Sequence, residues 1–109
     1  MERMGQCEGA KSALDVISGK WKPSILYLLS QHETIRFNEL MRLIPDITQK
    51  MLTANLRELE EHHLVERTVY AEVPPRVEYA LTEHGRSAIP LVDSLQQWGN
   101  RHRSGLEAR

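Results

Sequence analysis

A mainly helical α+β fold, one domain spanning residues 1–109, is predicted from three observations on the sequence. Apolar residues recur at helical spacing over most of the chain, while two strand-like runs flank a Pro-Pro pair. The length also leaves room for one hydrophobic core and not two. Composition agrees with a folded domain, at 40% hydrophobic and 27% charged residues. The core is expected over about 10–100, followed by a disordered C-terminal tail, NRHRSGLEAR.

The elements follow in order. Ala10, Ala13, Leu14 and Ile17 mark one face of a first helix, which Gly19 interrupts. Pro23 suits the first turn of a second helix, where its missing N–H is no loss, and SILYLLSQ continues that helix. Thr34 to Arg36 is a short extended piece. Phe37, Leu40, Met41 and Ile44 mark a third helix that stops before Pro45. Thr48 is a good N-cap for a fourth, whose buried stripe is expected at Leu52, Leu56, Leu59 and His63. After His63 the period changes. LVERTVY is rich in strand formers, and RVEYAL puts Val77, Tyr79 and Leu81 on one side, with AEVPP between them as a hairpin tip. Thr82 caps a last helix expected to run to about Trp98 or beyond, with Pro90 kinking it or falling in its first turns.

Helices three and four, separated by the turn PDI, form a helix-turn-helix, and the hairpin forms a wing. In such a winged helix-turn-helix the second helix of the pair enters the DNA major groove, its first turns nearest the base edges. That helix carries Gln49, Lys50, Thr53, Ala54 and Arg57 opposite its leucine stripe, with no acid before Glu58. These side chains offer donors, acceptors and a methyl group of the kinds that base edges match. A plain solvated face is the simpler reading of the helix alone; the wing and neighbouring cations favour the groove. Arg76 follows the Pro-Pro tip and can reach a phosphate or the minor groove, or can instead guard an open strand edge. Lys20, Lys22, Arg36 and Asn38 are candidate phosphate anchors, and Thr48 joins the groove-facing set. The net charge of −1 argues against indiscriminate binding to nucleic acid.

The runs GKW, RFNEL, ITQKMLT, LRELE, YAEVPPRVEY and LTEHGR stand in this order. From Cys7 to about Gly99 the chain resembles the HxlR-type family of bacterial winged helix-turn-helix transcriptional regulators. The resemblance implies a cytoplasmic homodimer that binds operator DNA and responds to a small electrophile, aldehyde or oxidant. It also marks Cys7 as the sensing position. Two departures matter: His62-His63 replaces an acidic or amide residue followed by Gly, and Glu8 follows Cys7 where Pro is usual. The glycine of the family ends its helix in a left-handed conformation, which His tolerates less well.

A lone cysteine also serves as a small apolar side chain, and reactivity needs a depressed thiol pKa from a helix N-terminus or a cation. Lys11 lies close behind Cys7 and Glu8 opposes it. With no second cysteine, the available chemistry is a Cys7–Cys7 bond between subunits, a mixed disulfide or alkylation.

Two apolar stripes exceed what a small winged core can cover. One is Ala10, Leu14 and Ile17; the other is Ala88, Leu91, Val92, Leu95 and Trp98. They predict a dimer interface made by the N- and C-terminal helices. The longest apolar run, ILYLL, is too short for a membrane span, and the N-terminus lacks a secretion signal, so a cytoplasmic protein is expected. No catalytic motif, cofactor loop or metal-ligand spacing assembles, and neighbouring His62 and His63 would point apart on a helix. The alternative to a DNA-binding regulator is a winged-helix protein–protein interaction module.

Overall fold

A computed structural model of the chain describes residues 6–107. Its elements are α1 (Glu8–Ile17), α2 (Lys22–Ser30), β1 (Ile35–Arg36), α3 (Phe37–Leu43), α4 (Gln49–Glu61), β2 (Val65–Tyr70), β3 (Arg76–Leu81), α5 (Glu83–Ser87) and α6 (Ile89–Glu107). The strands form an antiparallel sheet in the order β1-β3-β2, with Ile35 opposite Tyr79 and Val65 opposite Leu81. The result is a helix-turn-helix, α3 and α4, beside a two-stranded wing: a winged helix-turn-helix.

The core is where the sequence periods converge. Ile25, Leu26 and Leu29 of α2 meet Leu40, Ile44, Leu52, Leu56 and Leu59, and Tyr79 and Leu81 close the group from the sheet. Each fully buried aliphatic side chain contributes about 1.5–3 kcal/mol relative to exposure. Ile44 and Ile47 pin the turn between α3 and α4 into this core, and Asp46 between them takes φ 70°, a left-handed angle that Asp accepts better than most residues. Thr48 caps α4 as expected, its hydroxyl accepting from the Met51 N–H at 3.1 Å.

His63 does not join the buried stripe. It is exposed at φ 62°, just past the end of α4. Its N–H donates to Glu60 O at 2.9 Å and the Leu64 N–H donates to Leu59 O at 3.0 Å, which is the Schellman pattern. The stripe ends at Leu59 because the chain turns there, and Leu64 takes the next buried position.

The segment after β3 is held by a compact seam. The Thr82 N–H donates to Leu64 O at 3.0 Å, and its hydroxyl donates to His63 O at 2.6 Å while accepting from the Gly85 N–H at 2.9 Å. Gly85 lies so close to the strand start that a Cβ there would sit 2.0 Å from Leu64 O. The expected single last helix is two helices, α5 and α6, joined at Ala88, with Pro90 in the first turn of α6. The helix runs beyond Trp98 to Glu107, so the tail expected to be disordered is helical as far as it is described, with 108–109 outside the described residues. Gly99, Ser104 and Gly105 weaken the helical signal there without breaking the backbone.

Two residues assigned to the interface stripes belong to the monomer instead. Ile17 and Val92 are both buried in the core cluster. Ala10, Leu14, Leu91, Leu95 and Trp98 remain exposed, Leu14 at 56% and Trp98 at 60%.

Candidate nucleic-acid interface

The site is built on α4. Leu52, Leu56 and Leu59 fix one side of this helix against the core, so the residues about half a turn away are forced outward. Gln49, Lys50, Thr53, Ala54 and Arg57 line one shallow open depression on that outer side. Thr48 stands at its start, with its hydroxyl engaged in the cap. Asn55 turns back onto its own helix, donating to Met51 O at 2.7 Å. Met51, exposed beside this face, is an apolar neighbour that the sequence reading passed over.

The four anchor candidates part company. Arg36 and Asn38 are exposed and line a groove of about 700 Å³ between the start of α3 and the wing, joined there by Arg42. Lys22, expected to hold a phosphate, is buried, and its ammonium is paired with Glu58 on α4. The Lys22 ammonium holds the Glu58 carboxyl below the usual carboxylate range. Lys22 is therefore a tie between α2 and α4. Lys20 lies 4.8 Å from the centre of the Trp21 ring, exposed, beside the start of α2.

Arg76 does not sit at the wing tip. It opens β3 at the base of the loop, with one terminal nitrogen 3.0 Å from Glu72 Oε2 and the other 3.1 Å from Glu78 Oε2. Its guanidinium lies 4.0 Å from the centre of the Tyr70 ring. Arg76 is thus ion-paired rather than free: two carboxylates flank it in the folded hairpin, one of them in the loop.

Arg67 is a cation that sequence reasoning missed. It stands on β2 opposite Tyr79, whose phenol burial pushes up while the Arg67 charge opposes that rise. The alternation of β2 could have flagged it, since Arg67 shares a sheet face with its cross-strand partner.

Cys7 is exposed and is the N-cap of α1, at φ 64° and ψ 12°. Its carbonyl accepts the first helical bond, from the Lys11 N–H at 3.0 Å. Among the described residues, no three His, Cys, Asp or Glu side chains gather as a metal site, and no helix is long and apolar enough to cross a membrane.

The helix-turn-helix, the wing and the outward face of α4 coincide with a known pattern: the model of the HxlR-like helix-turn-helix family matches residues 16–106. The chain belongs to that family. Among HxlR-like relatives, an uncharacterized HTH-type transcriptional regulator of Methanothermobacter thermautotrophicus is 53% identical over 95 residues, covering 87% of this chain and 72% of that one. The uncharacterized HTH-type transcriptional regulator YybR of Bacillus subtilis is 50% identical over 95 residues, covering 87% of this chain and 75% of its own. In structure, the redox regulator HypR in its reduced form superposes with a TM-score of 0.86 at 47% identity, covering 94% of this chain and all of that one. This HxlR-like chain is thus a transcriptional regulator of the helix-turn-helix type, not an enzyme.

Proposed function

We propose that this regulator binds operator DNA as a homodimer in the cytoplasm, reading bases with α4. The observation that carries the reading is the outward face of α4. Gln49, Lys50, Thr53, Ala54 and Arg57 gather on one side, with no acid before Glu58. Thr48, at the helix start, is close to the phosphates that flank such a groove contact. Arg36, Asn38 and Arg42 are the phosphate anchors beside the wing, in place of Lys22 and Arg76.

A dimer is supported by Leu14, Leu91, Leu95 and Trp98, large apolar side chains that the monomer leaves exposed on its first and last helices. A twofold axis would pair two α4 helices with the half-sites of a palindromic operator. Trp98→Ala should cost such an interface about 2 kcal/mol and shift the protein toward monomer in sedimentation. Wild-type protein that is already monomeric at micromolar concentration would contradict the dimer.

Cys7 is proposed as the point at which an oxidant or electrophile acts. The support is its exposure beside α1 and the likeness to HypR, named a redox regulator and solved in reduced and oxidised forms. Modification there, next to the proposed interface, would change how one α4 is set against the other. Cys7→Ser should bind operator normally and ignore oxidants. Unchanged operator affinity after full modification of Cys7, verified by mass spectrometry, would end this part of the proposal.

The net charge of −1 favours a second reading, in which the same α4 face docks on a protein. Titrating the chain against its own upstream DNA at rising salt separates the two. A phosphate-gripping protein making ~6–10 such contacts loses about 10³–10⁵ in affinity between 50 and 200 mM salt. Absence of salt-dependent binding would favour the docking module.

A further inference from the structure

We infer that Arg76 is a positioning residue of the wing, held inside the hairpin by Glu72, Glu78 and Tyr70, and that the uncharged tip Val73-Pro74-Pro75 is the part of the wing that meets DNA. This rests on the DNA-binding reading above and assigns the wing's role within it.

The geometry of the wing base is that of a clamp. Arg76 and Tyr70 form the last rung of the β2–β3 ladder, so their side chains share a face and the guanidinium lies over the ring at 4.0 Å. The two terminal nitrogens reach different carboxylates, Glu72 at 3.0 Å and Glu78 at 3.1 Å. Glu78 lies two residues along the same strand and its side chain is only 14% exposed. Glu72 lies in the loop itself, and its N–H donates to Tyr70 O at 2.9 Å. Arg76 therefore ties the loop to the strand from both sides.

The charges of this group decide what it can do for DNA. One guanidinium against two carboxylates leaves the cluster with a net charge of −1 by formal count. An approaching phosphate would compete with two carboxylates already paired with the guanidinium and would be repelled by both. Beyond the clamp, Val73 is fully exposed and Pro74 and Pro75 are exposed with it. Apolar side chains of this kind fit the walls and base steps of a minor groove, a contact that salt does not screen. Arg36 and Arg42, on the α3 side of the same groove, are exposed and enter no ion pair among the described residues, so they are the cations placed to take phosphates nearby. Holding the loop in one conformation before binding lowers the ordering cost that a mobile wing would bring to the complex.

The test compares operator binding across a salt series for the wild-type dimer, Arg76→Ala, Arg76→Lys and Val73→Ala, alongside amide hydrogen exchange of the free proteins. Arg76→Ala should weaken binding roughly tenfold at every salt concentration, the scale of ordering a few side chains, with an unchanged salt slope. Arg76→Lys should behave like the alanine variant, because a single ammonium cannot bridge two carboxylates and cover the ring. Val73→Ala should lose affinity a few-fold, again with no change of slope. In the free protein, Arg76→Ala and Glu72→Gln should both speed amide exchange at Ala71, Glu72 and Val73, and Glu72→Gln leaves the strand residues intact should the former unfold. A slope reduced by about one in Arg76→Ala, restored by lysine, would make Arg76 a phosphate contact and overturn the inference. Full affinity in Val73→Ala would overturn the tip contact. A wild-type protein that binds no duplex would overturn the DNA-binding reading and this one with it, whereas the slope result overturns this one alone.

Discussion

On the outer face of α4, Lys50 and Arg57 lie exposed and enter no ion pair among the described residues, whereas at the wing base Arg76 meets two carboxylates and a tyrosine ring. Both regions flank the surface proposed to meet DNA, and each carries cations among acids in sequence. The difference lies in the acids within reach once the chain folds. The turns of α4 that face outward contain no Asp or Glu before Glu58, so their cations point to solvent. The hairpin brings Glu72 and Glu78 to either side of Arg76, so that cation works within the protein. Lys22 falls on the same side of the divide, captured by Glu58 from the far end of α4. A basic residue near a groove is a contact candidate only after its intramolecular partners have been counted.

Three substitutions sharpen this contrast. Gly85→Ala should have the largest effect, because its Cβ would meet the backbone oxygen of Leu64, the residue that joins α4 to β2. Both regions depend on that joint, so we expect a loss of about 3 kcal/mol or more in denaturant unfolding, with operator binding falling as the fold does. A loss below ~1 kcal/mol would mean that the seam yields, and that the two regions are less rigidly linked than described.

His63→Gly should act in the opposite direction. His63 holds a left-handed angle that suits glycine, so removing its side chain should stabilise the protein by about 1 kcal/mol. That corresponds to a rise of roughly 5 °C in melting temperature for a domain of this size. Operator affinity should not change, since His63 lies beyond the last turn of α4 and the base-facing residues occupy the first turns.

The smallest effect is expected from Lys22→Met, which keeps the buried stem and removes the charge. The salt slope of DNA binding should stay as in wild type, and a decrease of about one would return Lys22 to the phosphate contacts. Stability should depend on pH in a defined sense. The folded Glu58 carboxyl titrates below the ordinary value of 4.5, so its pairing with Lys22 stabilises the fold above that value and fades as pH falls through the lower, folded one. Wild type should thus lose its advantage over Lys22→Met on acidification. An advantage that grows at low pH would contradict the pairing.

Much of this architecture was legible because it is local. Thr48 caps α4 and Thr82 starts a helix where each was expected to, Pro23 lies in the first turn of α2, and Val77, Tyr79 and Leu81 share the inner face of β3. The outward face of α4 followed from the leucine stripe opposite it. What escaped was tertiary. Lys22 and Glu58 are far apart in sequence, and Arg76 reads as a free wing residue until the loop closes on Glu72. Ile17 and Val92 match their exposed neighbours in type, and only the packing of α1 and α6 against the core separates them from Leu14 and Leu95. The break at Ala88 and the reach of α6 to Glu107 were hidden by weak helix formers that tertiary context overrides.

The central claim is that α4 reads base sequence, and the most direct test is Lys50→Ala titrated against the operator and against a scrambled duplex of the same length and salt. Loss of a base contact should cost ~1–3 kcal/mol on the operator and much less on the scrambled duplex, narrowing the ratio between them. Equal losses on both duplexes would show that Lys50 only holds phosphates, and would contradict the reading of α4 as the base-reading helix at that position.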